Sequence, residues 1–291
     1  MKEIKVFCFG FGQVAKNFVK KLSIEKYHIN LSTTSRSESS KKTFMGVNYN
    51  SYLFNSEKFD QNLVVKLKEA DHILVSIPPE NKEDIVVKNF SKFLKNTKVK
   101  WITYLSATSV YGDHKGEWVN ENSKTNPISI NGVARLKAEN SWAFLERNKK
   151  LPVQIFRMSG IYSNEKNILV RLKLGDVKLI NKKKHYFSRI HVDDIANILF
   201  KSLSKFKSGE IYNLSDDKPS SSKEMTLYGA KILNIENIEN IEIDAIKSET
   251  LKSFYNESKK VSNKKVKNYF SYNLMFPSYI EGLNYIRDNF M

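Results

Sequence analysis

The chain has 291 residues, 41% of them hydrophobic and 12% aromatic, enough to bury a sizeable core and to exclude wholesale disorder. Its 48 Lys+Arg stand against 31 Asp+Glu, a net charge of +17, yet only seven of those 48 are Arg. No apolar run approaches the roughly 18 residues needed to cross a bilayer, and a lone cysteine, Cys8, excludes an intrachain disulfide.

In chain order, Lys5-Val6-Phe7-Cys8-Phe9 reads as a buried strand, with Cys8 as inert packing. Gln13 to Leu22 puts Val14, Phe18, Val19 and Leu22 on one helical face. Ile29-Asn30-Leu31 reads as a second strand, His72 to Ile77 as a third, stopped by Pro78-Pro79, and Asp84 to Leu94 as a helix. Trp101 to Leu105 is the next strand, Ala134 to Arg147 a helix, and Val153 to Phe156 and Ile211 to Leu214 are later strands. Asp193 to Leu203 reads as a helix capped by Asp193, with His191 before it as a buried structural histidine. Ser221 and Glu224 have capping-box spacing, Asn234 to Glu242 reads as a helix end running into a strand, and Pro277 to Phe290 as a terminal helix. Near-continuous apolar strands alternating with helices predict βαβ units and a parallel sheet covered on both faces. The expected fold is α/β, a Rossmann-type doubly wound parallel sheet with a smaller C-terminal lobe, divided as residues 1–162 and 163–291.

Gly10-Phe11-Gly12-Gln13-Val14-Ala15 follows the first strand as G-x-G-x-x-A. Gly10 permits the tight turn, Gly12 lets backbone approach a pyrophosphate, and Ala15 lets helix and strand pack closely. The helix N-terminus beyond it would offer N–H groups and a positive dipole end to phosphate. An acid at the end of the second strand would select NAD, but this chain reads Thr34-Ser35-Arg36-Ser37, with no acid before Glu38. Hydroxyls and a guanidinium suit a 2′-phosphate, so NADP is favoured over NAD as cofactor.

Five further segments carry a resemblance. Leu105-Ser106-Ala107-Thr108-Ser109-Val110-Tyr111-Gly112, Pro127 to Glu139, Phe156 to Tyr162, Arg189-Ile190-His191-Val192-Asp193-Asp194 and Ile211-Tyr212-Asn213-Leu214 resemble, in order, segments of the extended short-chain dehydrogenases/reductases, the NAD-dependent epimerase/dehydratase family. The glycine spacing, Ser76-Ile77-Pro78-Pro79 and Ser188 to Asp194 look closest to the atypical YeeZ-like branch. The resemblance implies that Ser76, Ile77, Pro78, Ser106 and Arg135 join the turn in binding the dinucleotide, and that Ala107, Thr108, Tyr111, Asn131 and Arg157 line a substrate site. It also implies hydride transfer at a carbon–oxygen centre.

The family's catalytic set is missing. Its Tyr falls on Asn131, its Lys on Arg135 and its Ser on Ala107. Asn exchanges no proton near neutral pH, and Arg is no proton relay. Thr108, Tyr111 and His114, on the segment after the strand, are the remaining catalytic candidates, with Tyr111 also readable as a cleft wall and His114 as a solvated loop residue. The substrate is expected against the loop Tyr111 to Asn122, where Trp118 would cover it or simply pack the loop. Arg157 is open between holding a ligand anion and a structural ion pair. Gly160 falls where sugar-nucleotide epimerases often carry a substrate-binding Asn, which argues against that substrate class.

Two rivals to the enzyme remain. One is a non-catalytic NADP-binding sensor or interaction protein. The other is a polyanion binder, suggested by the charge, although scarce Arg argues against nucleic acid as partner and Lys252 to Lys267, with six Lys and one Glu, reads as a solvated face. Five scattered His and no CxxC or HExxH spacing argue against a metal. With no cleavage site after Lys2-Glu3-Ile4-Lys5, the expected setting is the cytoplasm, without a membrane partner, as monomer or homodimer.

Overall fold

The computed structural model describes residues 2–291 except Asn81, Asn96, Asn181 and Lys183, and only the backbone of Thr250, Leu251 and Ser253. The chain opens with β1 (Glu3–Phe9), α1 (Gln13–Ile24), β2 (His28–Ser35), β3 (Ser40–Phe44) and β4 (Val47–Leu53). Then come α2 (Asn62–Glu69), β5 (His72–Val75), α3 (Ile85–Leu94), β6 (Trp101–Ala107), a short β7 (Trp118–Val119), α4 (Ile130–Lys149) and β8 (Val153–Met158). Shorter pieces follow: β9 (Gly160–Tyr162), α5 (Ile168–Lys173), β10 (Leu179–Ile180), β11 (Arg189–His191), α6 (Val192–Ser202), β12 (Ile211–Leu214), α7 (Ser222–Ile232) and β13 (Asn240–Ile241). The chain ends with α8 (Glu249–Tyr255), β14 (Lys260–Val261), α9 (Lys264–Phe270) and α10 (Tyr279–Phe290).

Eight strands form one sheet in the order β12-β8-β6-β5-β1-β2-β4-β3. β1 pairs in parallel with both β2 and β5, β2 with β4, and β5 with β6. The order reverses direction at β1, the switch point of a doubly wound α/β fold. Two compact units result. The first holds Met1–Ala107, Ile130–Arg157 and Ile195–Tyr212; the second holds Thr108–Ser129, Met158–Asp194 and Asn213–Met291.

In the first unit the apolar runs of the parallel strands are buried, as strands covered on both faces require. Phe7, Phe9, Phe54, Phe90, Trp142 and Ile155 share its core. Phe9 packs against Phe90 (ring centroids 5.4 Å) and Phe54 (5.8 Å), linking β1 to α3. The second unit has its own core, in which Tyr162, Leu169, Met225, Tyr279, Leu283 and Ile286 meet.

Two expectations need correction, and one stretch holds elements that none covered. β2 does not stop at Leu31; it runs to Ser35, because Ser32 to Ser35 pair with Asn50 to Leu53 of β4. The hairpin β3–β4 and the helix α2 fill a stretch for which no element was expected; polar edge strands leave little apolar pattern. Asp193 does not cap α6; it lies in the first turn, and the neighbouring Asp194 turns inward. Asp194 accepts from the Tyr272 hydroxyl (2.6 Å) and from the N–H groups of Met275 (2.7 Å) and Phe276 (3.1 Å). Among the described residues no helix is long and apolar enough to cross a membrane.

Candidate functional site

The turn after β1 is closed on one side and open on the other. Gly10 has φ +84°, a left-handed conformation that side chains disfavour, and a Cβ there would lie 2.6 Å from Ile77 Cγ2 and 3.0 Å from Ser76 Oγ. The Gly10 N–H donates to Thr34 Oγ1 (2.8 Å), and Ser76 Oγ donates to the Phe9 carbonyl (2.9 Å). These bonds lock the ends of β1, β2 and β5 together at the switch point. Gly12 differs: a Cβ built there meets nothing within 4 Å, and Gly12 caps α1 without a side-chain hydrogen bond. The N-terminus of α1 thus faces open space over a bare backbone, the cradle that a pyrophosphate needs. Gln13 Oε1 beside it is buried without a partner, while Val14 and Ala15 are buried on the inner face of the helix. Phe11 is half-buried and packs edge-on to Phe44 (5.4 Å) and against Tyr49 (5.1 Å) of the β3–β4 hairpin.

The end of β2 continues this edge. Ser35 and Ser37 have their hydroxyls 3.2 Å apart, and the side chain of Arg36 between them is exposed. Ser76 and Ile77 are half-buried and Pro78 exposed after β5. Ser106, near the end of β6, is 1% exposed, and its hydroxyl has no partner. Ala107 follows it, half-buried. Arg135, one turn into α4, donates through Nη1 to the Leu105 carbonyl (2.7 Å) and to the Tyr104 hydroxyl (3.3 Å). Burial lifts the Tyr104 phenol above its ordinary range, so it stays protonated. Asn131, in the first turn of α4, is exposed. The first unit therefore brings Gly10 to Val14, Thr34 to Arg36, Ser76 to Pro78, Ser106, Ala107 and the start of α4 to the carboxyl ends of the parallel strands, where ligands bind in open α/β sheets.

Arg157 takes the ion-pair side of its two readings. It is 4% exposed, and its Nε and Nη2 hold both carboxylate oxygens of Glu139, the shortest contact being 2.7 Å. Glu139 carried no expectation; its signal was its place four residues after Arg135 on the inner face of α4. Asp84 was read only as the first residue of a helix. It accepts from Val86 and Val87 N–H and from Trp142 Nε1 (2.9 Å), joining α3 to α4.

The second unit holds the other candidates. Thr108 is half-buried in a single 3-10 turn over Thr108–Tyr111. Tyr111 is fully buried, and its hydroxyl donates to Asn213 Oδ1 (2.7 Å). His114 Nε2 lies 3.2 Å from the carbonyls of both Tyr111 and Lys124, so the tautomer protonated there ties the loop to itself. Trp118 is largely exposed, with the ammonium of Lys260 5.9 Å from its ring. His191 is buried between Tyr162 and Phe276, its Nδ1 accepting from the Asp193 N–H (3.3 Å). Desolvation pushes its pKa down to about 4. Among the described residues no group of three His, Cys, Asp or Glu is arranged to hold a metal ion.

A family model described as the NAD-dependent epimerase/dehydratase family matches residues 10–215. No protein with a curated description matches the chain in sequence. Among solved structures, a conserved protein of unknown function from Silicibacter pomeroyi is 28% identical, with 98% of this chain and 99% of that one covered and a TM-score of 0.86. The UDP-glucuronic acid 4-epimerase of Bacillus cereus, solved with NAD, is 15% identical (coverage 99% and 100%, TM-score 0.76). The dTDP-glucose 4,6-dehydratase of Bacillus anthracis, also with NAD, is 18% identical (coverage 99% and 97%, TM-score 0.76). The last two likenesses are likenesses of fold.

Proposed function

The chain belongs to the NAD-dependent epimerase/dehydratase family, and from that premise we propose that it is a nicotinamide-dinucleotide-dependent enzyme of the oxidoreductase, epimerase or dehydratase type, of the atypical YeeZ-like branch, acting on a small substrate. The open backbone at Gly12, set against a Gly10 closed onto Ser76, Ile77 and Thr34, is the observation that carries this reading. Gly10 to Val14 would cradle the pyrophosphate on the N-terminus of α1. Ser76, Ile77, Pro78 and the unpartnered Ser106 hydroxyl would lie along the rest of the dinucleotide. Arg36, Ser35 and Thr34 would meet the adenosine ribose, and the absence of an acid there supports NADP over NAD. A bound nicotinamide would supply hydride transfer at a carbon–oxygen centre.

The proton chemistry differs from the family's usual set. Asn131 can donate and accept a hydrogen bond but holds no transferable proton, and Arg135 places a permanent cation beside the end of β6. Ala107 polarises nothing. Thr108 remains the substrate-site hydroxyl of this reading, while Tyr111 and His114 are engaged in holding their own loop. The replacement of all three catalytic positions supports a second reading, a dinucleotide-binding sensor without turnover.

Calorimetric titration with NADPH, NADP⁺, NADH and NAD⁺ tests both. The expected result is tighter binding of NADP(H), weakened about tenfold by Arg36→Ala, as loss of a charge-assisted bond predicts. Gly12→Asp, which adds a carboxylate where phosphate would sit, abolishes binding of all four. Equal or better binding of NAD(H), with no effect of Arg36→Ala, removes the NADP reading. Binding of none removes the cofactor altogether. Cofactor oxidation or reduction in the presence of carbonyl or alcohol substrates then separates enzyme from sensor.

A further inference from the structure

The segment that carries Arg36 is fastened from outside itself. Asn55, just after β4, donates through Nδ2 to the Arg36 carbonyl (3.2 Å). Its Oδ1 accepts from the N–H groups of Glu57 and Lys58 (both 3.0 Å), so the amide is committed on both ends. Ser39, at the far end of the same segment, donates to Asp60 Oδ2 (2.6 Å) and accepts from the Leu53 N–H (2.9 Å). The Ser39 hydroxyl helps hold the Asp60 carboxyl below its ordinary range, so the acceptor is ionised at neutral pH. Arg36 to Ser39 is thus pinned at both ends by residues of the β4–α2 connection. An exposed Arg otherwise has a wide choice of rotamers, and binding an anion forfeits them. Fixing the backbone beneath it leaves only the side chain to be ordered on binding.

We infer that Asn55 is a positioning residue for cofactor choice: by holding the Arg36 carbonyl it sets the Arg36 guanidinium for the 2′-phosphate of NADP. This rests on the NADP reading above. Asn55 touches no ligand in it and acts only through Arg36.

The test is a double-mutant cycle read by calorimetry on the full chain, with NADPH, NADH and adenosine 2′,5′-bisphosphate as probes. Wild type, Asn55→Ala, Arg36→Ala and the double variant are compared. Asn55→Ala is expected to weaken NADPH and the bisphosphate about fivefold while leaving NADH unchanged, and to add nothing once Arg36 is gone. Equal weakening of NADH and NADPH, or the same loss in the Arg36→Ala background, overturns the positioning role and makes Asn55 a purely structural residue. If wild type itself shows no preference for NADPH, the NADP reading fails first and the inference falls with it. Denaturation midpoints of all four proteins identify any variant that is merely unfolded.

Discussion

Arg157 and Glu139 show what a single pair of residues can and cannot reveal. Both side chains are at most 5% exposed, so each charge has left water and is held by the other. Breaking such a pair strands a buried ion, at a cost of about 3–5 kcal/mol, whereas replacing both partners with apolar residues is far milder. Arg157→Leu should therefore destabilise the chain strongly to urea, and adding Glu139→Leu should recover a large part of the loss. A ligand-binding Arg157 would give the opposite pattern, with little change in stability. His191 belongs to the same scale. Its pKa falls from 6.5 to about 4 because burial disfavours the imidazolium. A depressed folded-state pKa means that the neutral side chain contributes fully above pH 6.5. That contribution is lost as the pH falls toward 4, by at most about 1.4 kcal/mol per pH unit. The stability difference between wild type and His191→Phe should therefore shrink or reverse over that window. A difference that stays constant from pH 7.5 to 4 would show that His191 titrates normally.

At the scale of elements, the β3–β4 hairpin is the feature that the sequence hid. Its two-residue turn is Met45-Gly46, both with positive φ (+49° and +77°), the geometry of a type I′ turn. Asn-Gly or Asp-Gly announces such a turn; Met-Gly does not, and the flanking Ser-Lys-Lys-Thr and Asn-Tyr-Asn-Ser runs are too polar to announce strands. Met in the left-handed region is strained. Met45→Asn should raise stability by about 0.5–1 kcal/mol, measurable as a shift in the urea midpoint at constant slope. No change would mean that the turn does not adopt this conformation in solution. The elements that were legible had local signals of the right kind. The Ser221–Glu224 box caps α7 as its spacing predicts, and α1 buries Val14, Phe18, Val19 and Leu22 as its periodicity predicts. Asp84 and Asp194 were visible as acids near helix starts, but their partners, Trp142 and the Tyr272–Phe276 segment, lie 58 and 78 to 82 residues away.

For the molecule as a whole, Cys8 is the natural reporter. It sits in β1, between β2 and β5, with 0% exposure, and burial pushes its thiol up to about 12. A central strand opens only when the unit that contains it unfolds. A thiol reagent at pH 8 should leave the native chain unmodified, and the labelling rate should rise with denaturant as steeply as global unfolding does. Rapid labelling without denaturant would show that the sheet opens locally. The net charge of +17 also acts at this scale. It favours solubility and loose, salt-sensitive attraction to polyanions rather than any one fold.

The sequence by itself determined what depends on neighbours along the chain. Alternating apolar strands and amphipathic helices dictated the α/β class, and the glycine spacing after β1 marked the turn, because only glycine allows both the left-handed backbone at position 10 and the bare approach at position 12. Tertiary structure alone decided what depends on distant partners. The guanidinium of Arg157 faces Glu139, the phenol of Tyr111 faces Asn213, and the carbonyl of Arg36 is held by Asn55. The physical reason is that polar groups, buried ones above all, are mostly bonded in a folded chain, but nothing in a group's own sequence neighbourhood says which of many distant groups the fold will bring to it.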